Sequence, residues 1–302
     1  KIIYQYYKIK MNLSVVIVAF KSFHLLEKLI KSIPKNYEII IIENSLDREI
    51  KEKFEIYSNV RVIIPNENLG YGKSFNLGLE CSNNNFTCFL SPDVTIPSDC
   101  FNKIEMIIKK INNFTILAPT YDDETIHKNY QIKNKKLLNN LNIENFNLIE
   151  VDEIDFAMAI INKSSLTKTK VMDENFFLYF ESTDACIDLR KDNKKIYVIE
   201  NLKYRHHGTE SSHPKFSIDI KISRNWHFCW SKFYLLNKHY GYFYGVRKTI
   251  PNLIRALKFC FLSFIKKVKE NLDIYKASLS GLINSYLLRK SVYRPLDNKK
   301  KN

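Results

Sequence analysis

Short apolar runs rich in β-branched residues alternate with helical patterns through the first hundred residues. Four of these runs are typical of buried strands: LSVVIVAF (13–20), YEIIIIEN (37–44), NVRVIIPN (59–66) and FTCFLSPDV (86–94). Helical spacing separates them, most clearly in FHLLEKLIKSI (23–33) and LGYGKSFNLGLECS (69–82). Continuously apolar strands separated by helices indicate a parallel sheet that is covered on both faces. The sequence therefore predicts a doubly wound α/β fold, whose ligands bind beyond the carboxyl ends of the strands.

The rest of the chain divides by composition. Residues 120–150 are polar and weakly periodic, and we expect them to form a peripheral excursion. From about Ser223 onward the pattern is helical, basic and aromatic. We expect a main domain over residues 11–235 and a basic amphipathic helical region over residues 236–302. Residues 1–10 precede Met11, and we expect them to be a non-native or disordered leader.

The net positive charge of the chain has two explanations, an anionic partner or a compositional bias. Its 302 residues carry a net charge of +15, which suits a nucleic acid, an anionic membrane surface or a phosphorylated substrate. A general bias of the source proteome towards lysine and asparagine explains the charge equally well. The six cysteines form no C-x-x-C pair, which favours buried thiols in a reducing compartment. The segment LIRALKFCFLSFIKKV (253–268) is interrupted by Arg255 and Lys258, so it suits a membrane interface or helix packing rather than a span.

Three polar motifs follow predicted strands or begin a helix. Asp93, in SPDV, is placed to bind a cation or a sugar, although proline–aspartate is also an ordinary turn. Gly70 and Gly72 allow a phosphate to approach backbone N–H groups, but G-x-G alone is a weak signal. His206 and His207 suit a metal or a phosphate, or they are a surface pair without a role. Taken singly, each motif is more typical of an ordinary turn, helix start or surface pair than of a functional site.

The segment FFLYFESTDACIDLR (176–190) carries a cluster of carboxylates. Glu181, Asp184 and Asp188 share one face of a predicted helix. In the structural reading, Ser182 or Thr183 caps this helix and Asp184 favours its positive end. In the functional reading, Glu181 or Asp184 faces a cleft as a base or a sugar ligand.

The order of these motifs resembles the glycosyltransferase family 2 enzymes of the GT-A fold, especially their rhamnosyltransferase-like branch. The resemblance covers about residues 12–240 and is carried by SVVIVAFKS, IIIIENSLD, NENLGYGKSFNLGL, FLSPDV, FFLYFESTDACIDLR and HHGTESS. It implies a Rossmann-like, mostly parallel sheet flanked by helices. Several weak motifs in the family's order are far more specific than any one of them.

The resemblance also implies roles for individual residues. It places Asp93 and His206 on a divalent cation, Mg²⁺ or Mn²⁺, that bridges the donor diphosphate. It assigns Glu181 or Asp184 to catalysis and puts Tyr179, Ser182 and Arg190 on the acceptor side. Residues that would contact the donor nucleotide are Ala19, Phe20, Glu43, Asn68, Gly70, Gly72, Lys73 and Asn76.

Three residues depart from the family pattern. Glu43 stands in place of an aspartate, and Ser91 in place of an asparagine or aspartate. Ser182 occupies the position of the family's usual aspartate base, and a serine hydroxyl is far too weak a base to substitute for it. Glu181 is the preferred replacement, because it immediately precedes the helix.

The function implied is one inverting transfer of a hexose, with rhamnose as a guess, from a dTDP- or UDP-sugar. The acceptor is a glycan or lipid-linked saccharide of a bacterial cell-surface polysaccharide such as O-antigen or capsule. The protein is expected to be cytoplasmic and peripheral at the anionic inner face of the membrane. One alternative is a binding relative that lacks the base. A nucleic-acid-binding protein is a distant alternative, since no recognised nucleic-acid module is present.

Overall fold

The computed structural model describes residues 13–122, 128–133, 140–208 and 211–295. The predicted leader, residues 1–10, lies outside these ranges. The helices and strands, in chain order, are β1 (Leu13–Ala19), α1 (Phe23–Ser32), β2 (Glu38–Glu43), α2 (Arg48–Phe54), β3 (Val60–Ile63), α3 (Gly70–Cys81), β4 (Phe86–Leu90), β5 (Val94–Thr95), α4 (Cys100–Lys110), β6 (Ile116–Tyr121), β7 (Tyr130–Gln131), β8 (Asn140–Ile143), β9 (Phe146–Glu150), β10 (Glu153–Ile154), β11 (Met158–Asn162), α5 (Glu181–Lys191), β12 (Ile196–His206), α6 (Ser217–Tyr240), α7 (Tyr242–Ile265) and α8 (Lys269–Tyr286).

The main sheet has the order β3-β2-β1-β4-β11-β6-β12-β9-β8. Strands β3, β2, β1 and β4 are parallel, as are β6 and β12, which confirms the predicted α/β class. β11 lies antiparallel between β4 and β6, a reversal that its apolar sequence does not reveal. Residues 140–150 of the predicted excursion are peripheral, because β8 and β9 form a hairpin at the far edge of the sheet. The prediction is wrong for Thr120 and Tyr121, which end the interior strand β6.

Both faces of the sheet are buried, which explains why its strands are apolar without alternation. On one face, Val15 and Ile17 of β1 pack in the same core as α1, α2 and α4. On the other face, Val16 of β1 packs with residues of α3 and α5. The sheet is therefore fixed between two packed layers, and the loops at its carboxyl edge extend from this rigid support.

The three C-terminal helices pack on one another. Trp226 and Trp230 of α6 form a small core with Ala277 of α8. α8 approaches α6 closely at Gly281, where an added Cβ would lie 2.2 Å from the backbone oxygen of Trp226. α6 runs unbroken across the predicted domain boundary at residues 235 and 236. In the part of the chain that the structure describes, no helix has the length and apolarity needed to cross a membrane.

Candidate active site

Strand pairing brings several predicted site residues to one edge of the sheet. β5, which follows Asp93, pairs antiparallel with the end of β12, with Val94 opposite His206. A cavity of about 330 Å³ opens at this edge. The predicted residues that line it are Phe20, Asn68, Gly70, Asp93, Tyr179 and His206.

Asp93 and His206 point their polar atoms at one another. Nε2 of His206 lies 3.3 Å from Oδ1 of Asp93, and both side chains are largely buried. Two ligands on neighbouring corners of an octahedron around a metal ion are about 3.0 Å apart when the bonds are about 2.1 Å long. The separation therefore fits a divalent cation bound by both atoms. Within the described ranges, no group of three or more His, Cys, Asp or Glu side chains is placed to hold a metal ion.

A hydrogen-bonded chain behind His206 fixes its orientation. The Tyr121 hydroxyl lies 2.8 Å from Nδ1 of His206, and it donates to Oδ2 of Asp155 at 2.7 Å. Because the single hydroxyl proton goes to Asp155, Nδ1 of His206 donates to Tyr121. In the neutral ring, the lone pair is then on Nε2, the nitrogen that lies 3.3 Å from Oδ1 of Asp93. Metal-binding histidines are commonly held by such partners.

The charges of the pair are mutually supportive. Burial alone would raise the pKa of Asp93, but hydrogen bonds from His206 and Ser91 outweigh it and hold the pKa below its usual value. Burial would lower the pKa of His206, yet its contact with Asp93 raises it. The site thus favours a carboxylate with a positive charge beside it, which either a proton on His206 or a metal ion supplies.

Glu181 does not itself line the cavity, but it follows the lining residue Tyr179 by two positions. Its side chain is 7% exposed, and burial raises its pKa to about 7. Oε2 of Glu181 is buried without a hydrogen-bond partner among the described residues. Two tyrosines of the cavity wall, Tyr71 and Tyr179, are close enough to its charge for their pKa values to be raised further by it.

The backbone before Glu181 is unusual. Tyr179 and Phe180 both adopt left-handed conformations, with φ values of 68° and 67°. Non-glycine residues pay a steric cost in this region, so two in succession require support from their surroundings. Both rings pack against Phe228 of α6. This turn delivers Tyr179 to the cavity and starts α5 at Glu181.

The donor-side predictions divide into two groups. Ala19 and Glu43 are register partners at the ends of β1 and β2, and both are fully buried. Burial raises the pKa of Glu43 to about 7, and its Oε2 has no hydrogen-bond partner among the described residues. Asn68 accepts a hydrogen bond from the backbone N–H of Gly70 and lies on the cavity wall with it. Gly70 has φ +73°, and a Cβ there would meet the Phe177 oxygen at 2.4 Å.

The remaining donor-side residues lie away from the cavity. Gly72 packs against the backbone at Phe176, where an added Cβ would lie 3.3 Å from the carbonyl oxygen. Asn76 accepts hydrogen bonds from the N–H groups of Val171 and Met172 and donates to the Met172 oxygen. Lys73 borders a separate surface groove with Asn76. These residues hold α3 against the segment that leads to Tyr179.

Two other predicted residues are engaged in ion pairs. Asp184 accepts hydrogen bonds from Lys238 and His239 of α6, each at 2.7 Å. Arg190 donates to Glu150 of β9. The structure thus places both away from the cavity wall, in contacts that tie α5 to its neighbours. The Ser182 side chain, on the first turn of α5, makes no hydrogen bond with the described residues.

Sequence reasoning missed three residues near Asp93 and His206. Tyr121 lies in the polar segment 120–150, which we expected to be a peripheral excursion, and Asp155 was not among the predicted residues. The hydrogen-bonded chain that links them to His206 depends on tertiary contacts. Arg224 lies on the cavity wall at the N-terminal half of α6 and makes no ion pair within the described ranges. Its position in a basic helix gave no signal that separates it from a surface arginine.

Comparisons with known proteins agree with this architecture. The family model for glycosyl transferase family 2 matches residues 14–169, which is more than half of the chain. The low-salt glycan biosynthesis hexosyltransferase Agl10 of Haloferax volcanii is 23% identical over 197 residues, which are 61% of this chain and 64% of that protein. The chain therefore matches less than two thirds of the length of this relative.

Two solved structures share the fold at low sequence identity. The mannosyltransferase PcManGT from Pyrobaculum calidifontis, in complex with GDP-Man and Mn²⁺, has a TM-score of 0.52 at 9% identity, over 92% of this chain and 88% of that chain. The S. aureus TarS fragment 1–349, in complex with UDP-GlcNAc, has a TM-score of 0.50 at 14% identity, over 95% of each chain. The fold is therefore GT-A, and the chain belongs to glycosyl transferase family 2.

Proposed function

We propose that the protein is an inverting glycosyltransferase that moves a hexose from a nucleotide-diphosphate sugar to a saccharide acceptor. The observation that carries the proposal is the Asp93–His206 pair, which faces a cavity at the carboxyl edge of the sheet. The hexosyltransferase relative and the donor-bound structural neighbours support the same reaction class.

Asp93 and His206 are the proposed protein ligands of a divalent cation, Mg²⁺ or Mn²⁺. The bound cation would neutralise charge on the leaving diphosphate. Arg224, which also lines the cavity, is the proposed second cationic partner of the diphosphate, since a guanidinium can donate to two phosphate oxygens at once. The base and ribose would then contact Phe20 and Asn68, which line the cavity.

The transfer itself is a single displacement. The acceptor hydroxyl oxygen forms a bond to the anomeric carbon, while the bond from that carbon to the β-phosphate oxygen breaks. The hydroxyl proton passes to the Glu181 carboxylate, and the nucleoside diphosphate leaves with the bonding electrons. A pKa of about 7 allows Glu181 to be ionised and yet basic near neutral pH. Asp184 is already paired with Lys238 and His239, which favours Glu181 over Asp184 as the base.

The natural donor is proposed to be a dTDP- or UDP-sugar, with rhamnose as the sugar suggested by the resemblance to that branch. The acceptor is proposed to be a glycan or lipid-linked saccharide of a bacterial surface polysaccharide. The protein would then act in the cytoplasm at the inner face of the membrane, where its net charge of +15 attracts anionic lipids. No nucleic-acid partner is proposed.

A transfer screen with dTDP- and UDP-sugars, detected by mass spectrometry with and without Mn²⁺ or Mg²⁺, tests the proposal. We expect product with at least one donor, and we expect Asp93→Ala to abolish it. Arg224→Gln should raise KM for the donor about tenfold or more, because a charged hydrogen bond to phosphate is lost. Full activity of Asp93→Ala, or no binding of any sugar nucleotide, would refute the assignment.

A second candidate is a relative that binds nucleotide sugars without turnover. Ser182, which stands where the family's aspartate base is expected, favours it. In this case calorimetry detects donor binding that depends on Asp93, while no donor is consumed. Slow turnover that disappears in Glu181→Gln would exclude this candidate.

A further inference from the structure

The outer face of α7 carries a row of large apolar side chains. Six of them, spaced three, four or seven residues apart, form what we call the α7 ridge: Phe243, Ile250, Ile254, Leu257, Phe261 and Phe264. Phe243 is 87% exposed and Phe264 is 69% exposed. A contiguous apolar surface of this kind on a folded protein marks a site of interaction.

The opposite face of α7 has the reverse composition. Its buried residues are small: Gly245, Thr249, Ala256 and Ser263. An ordinary surface helix turns its large apolar residues inward and its polar residues outward. In α7 the large residues point away from α6 and α8, although the helix packs on both of them. The ridge is therefore not a part of the core of this chain.

The ridge is accompanied by positive charge. Between Tyr242 and Lys269 the sequence contains seven cations and no Asp or Glu. They are Arg247, Lys248, Arg255, Lys258, Lys266, Lys267 and Lys269. In the part of the chain that the structure describes, none of the seven forms an ion pair with a carboxylate.

We propose that the α7 ridge inserts into the interfacial region of an anionic phospholipid bilayer, with α7 lying parallel to the surface. Apolar residues on one face together with lysines and arginines are the chemistry of an interfacial helix. α7 is 24 residues long, but Arg255 and Lys258 lie near its middle, so lying in the plane suits it better than crossing. The proposal rests on the membrane location in the proposed function, but not on the transfer reaction.

A second copy of the chain fits the ridge less well. A symmetric contact between two ridges would bring two sets of seven cations together, and like charges repel. Anionic headgroups instead supply opposite charge around the whole ridge. Each lysine or arginine near such a surface adds to the attraction.

Vesicle co-sedimentation of the full chain, without any donor or acceptor, tests the proposal. The probes are vesicles of phosphatidylcholine alone and vesicles with about 30% phosphatidylglycerol, which makes the surface anionic. We expect binding to the anionic vesicles to exceed binding to the neutral ones by about tenfold or more, and to weaken as salt is raised. Phe261→Ser/Phe264→Ser should reduce binding to anionic vesicles by about tenfold or more, because two inserted rings are lost.

Two matched variants distinguish insertion of the ridge from non-specific adsorption to vesicles. Ile56→Ser removes a side chain that is 76% exposed on the main domain, and it should leave vesicle binding unchanged. Arg255→Gln/Lys258→Gln keeps the ridge but removes two charges, and it should weaken binding only to the anionic vesicles. Circular dichroism and thermal melting of each variant establish that it is folded before binding is compared.

Three results would overturn the proposal. Unchanged binding of the folded Phe261→Ser/Phe264→Ser variant would show that the ridge does not insert. Equal binding to neutral and anionic vesicles would remove the role of charge. A dimer in sedimentation velocity that the ridge variant abolishes would show that a second copy covers this face. Transfer to a water-soluble acceptor is measured separately, so failure of vesicle binding is distinguishable from failure of the proposed reaction.

Discussion

Nε2 of His206 lies 3.3 Å from Oδ1 of Asp93, although the two residues come from distant parts of the chain. The antiparallel pairing of β5 with β12 brings them together, and it needs only two residues on the β5 side. The pair sits where a short edge strand meets the end of a long one. Small changes in this pairing therefore affect the separation of the two proposed ligands directly.

Asp93→Asn should weaken Mn²⁺ binding by about 100-fold or more, because a neutral amide oxygen replaces a charged ligand. Titration of Mn²⁺ by electron paramagnetic resonance, in the presence of UDP, measures the change. Ser91→Ala is the matched control, since it removes a hydrogen bond to the same carboxylate while keeping the charge. Equal Mn²⁺ affinity in wild type and Asp93→Asn would contradict the metal assignment.

Tyr121→Phe should weaken Mn²⁺ binding by about 10- to 100-fold without unfolding the protein, because His206 loses the acceptor that orients its ring. The ring of Tyr121 also packs on Tyr204, and phenylalanine keeps that contact. Calorimetric titration of the metal and a thermal melt separate the two effects. An unchanged affinity together with a lowered melting temperature would indicate a purely structural role.

Glu181→Gln should lower kcat by about 10²- to 10⁴-fold, the usual range for loss of a general base. In the wild type, kcat/KM should rise with pH to a plateau, with a midpoint near the pKa of about 7, because only the ionised carboxylate accepts the proton. The pH–rate profile measures both. Ser182→Asp places the family's usual aspartate next to Glu181. Faster turnover in Ser182→Asp, with no loss in Glu181→Gln, would assign the base to that position instead.

The raised pKa of Glu181 also predicts how stability depends on pH. Its pKa is about 7 in the folded protein and 4.5 as the ordinary value, so the folded state binds more protons between these limits. The free energy of unfolding should therefore fall as pH rises from about 4.5 to 7, by about 3 kcal/mol from this residue. Urea denaturation of Glu181→Gln should show a shallower pH dependence. An identical pH dependence in both proteins would show that the carboxylate is not buried.

Asp184→Asn should destabilise the fold by about 2 kcal/mol, since it breaks a buried ion pair. The loss is limited because Lys238 keeps contacts with Asp173 and Asp188. Chemical denaturation measures the stability, and kcat/KM should stay within about twofold of wild type at a temperature where the variant is folded. A loss of turnover like that of Glu181→Gln, at unchanged stability, would make Asp184 the base.

The sequence carries most of the information about the sheet and about Asp93 and His206. Strand periodicity locates the carboxyl edge, and residues directly after a strand lie there whatever covers the sheet. The same reasoning does not place Asp184 correctly. Helical spacing puts it on the same face as Glu181, but α6 covers that part of α5 and supplies Lys238 and His239. The pattern of one helix does not indicate which neighbour covers it.

Tyr121, unlike Asp184, was not predicted from the sequence but lies beside His206 in the structure. It ends an apolar strand, and an aromatic residue there is typical of a core. Its function in the site depends on one hydroxyl between His206 and Asp155, which come from two other elements. Arg224 is similar, because only the packing of α6 on the main domain brings it to the cavity wall. Such contacts cannot be predicted from local sequence patterns.

The unbroken helix α6 connects the cavity wall to α7. Its first half contributes Ser223 and Arg224 to the cavity wall, and the same unbroken helix packs against α7. If α7 is held on a surface, the helix beneath it is held as well, and the cavity wall cannot turn independently. A molecule restrained in this way would diffuse in two dimensions with a constant tilt. An acceptor anchored in the same surface would then meet the cavity from one direction only.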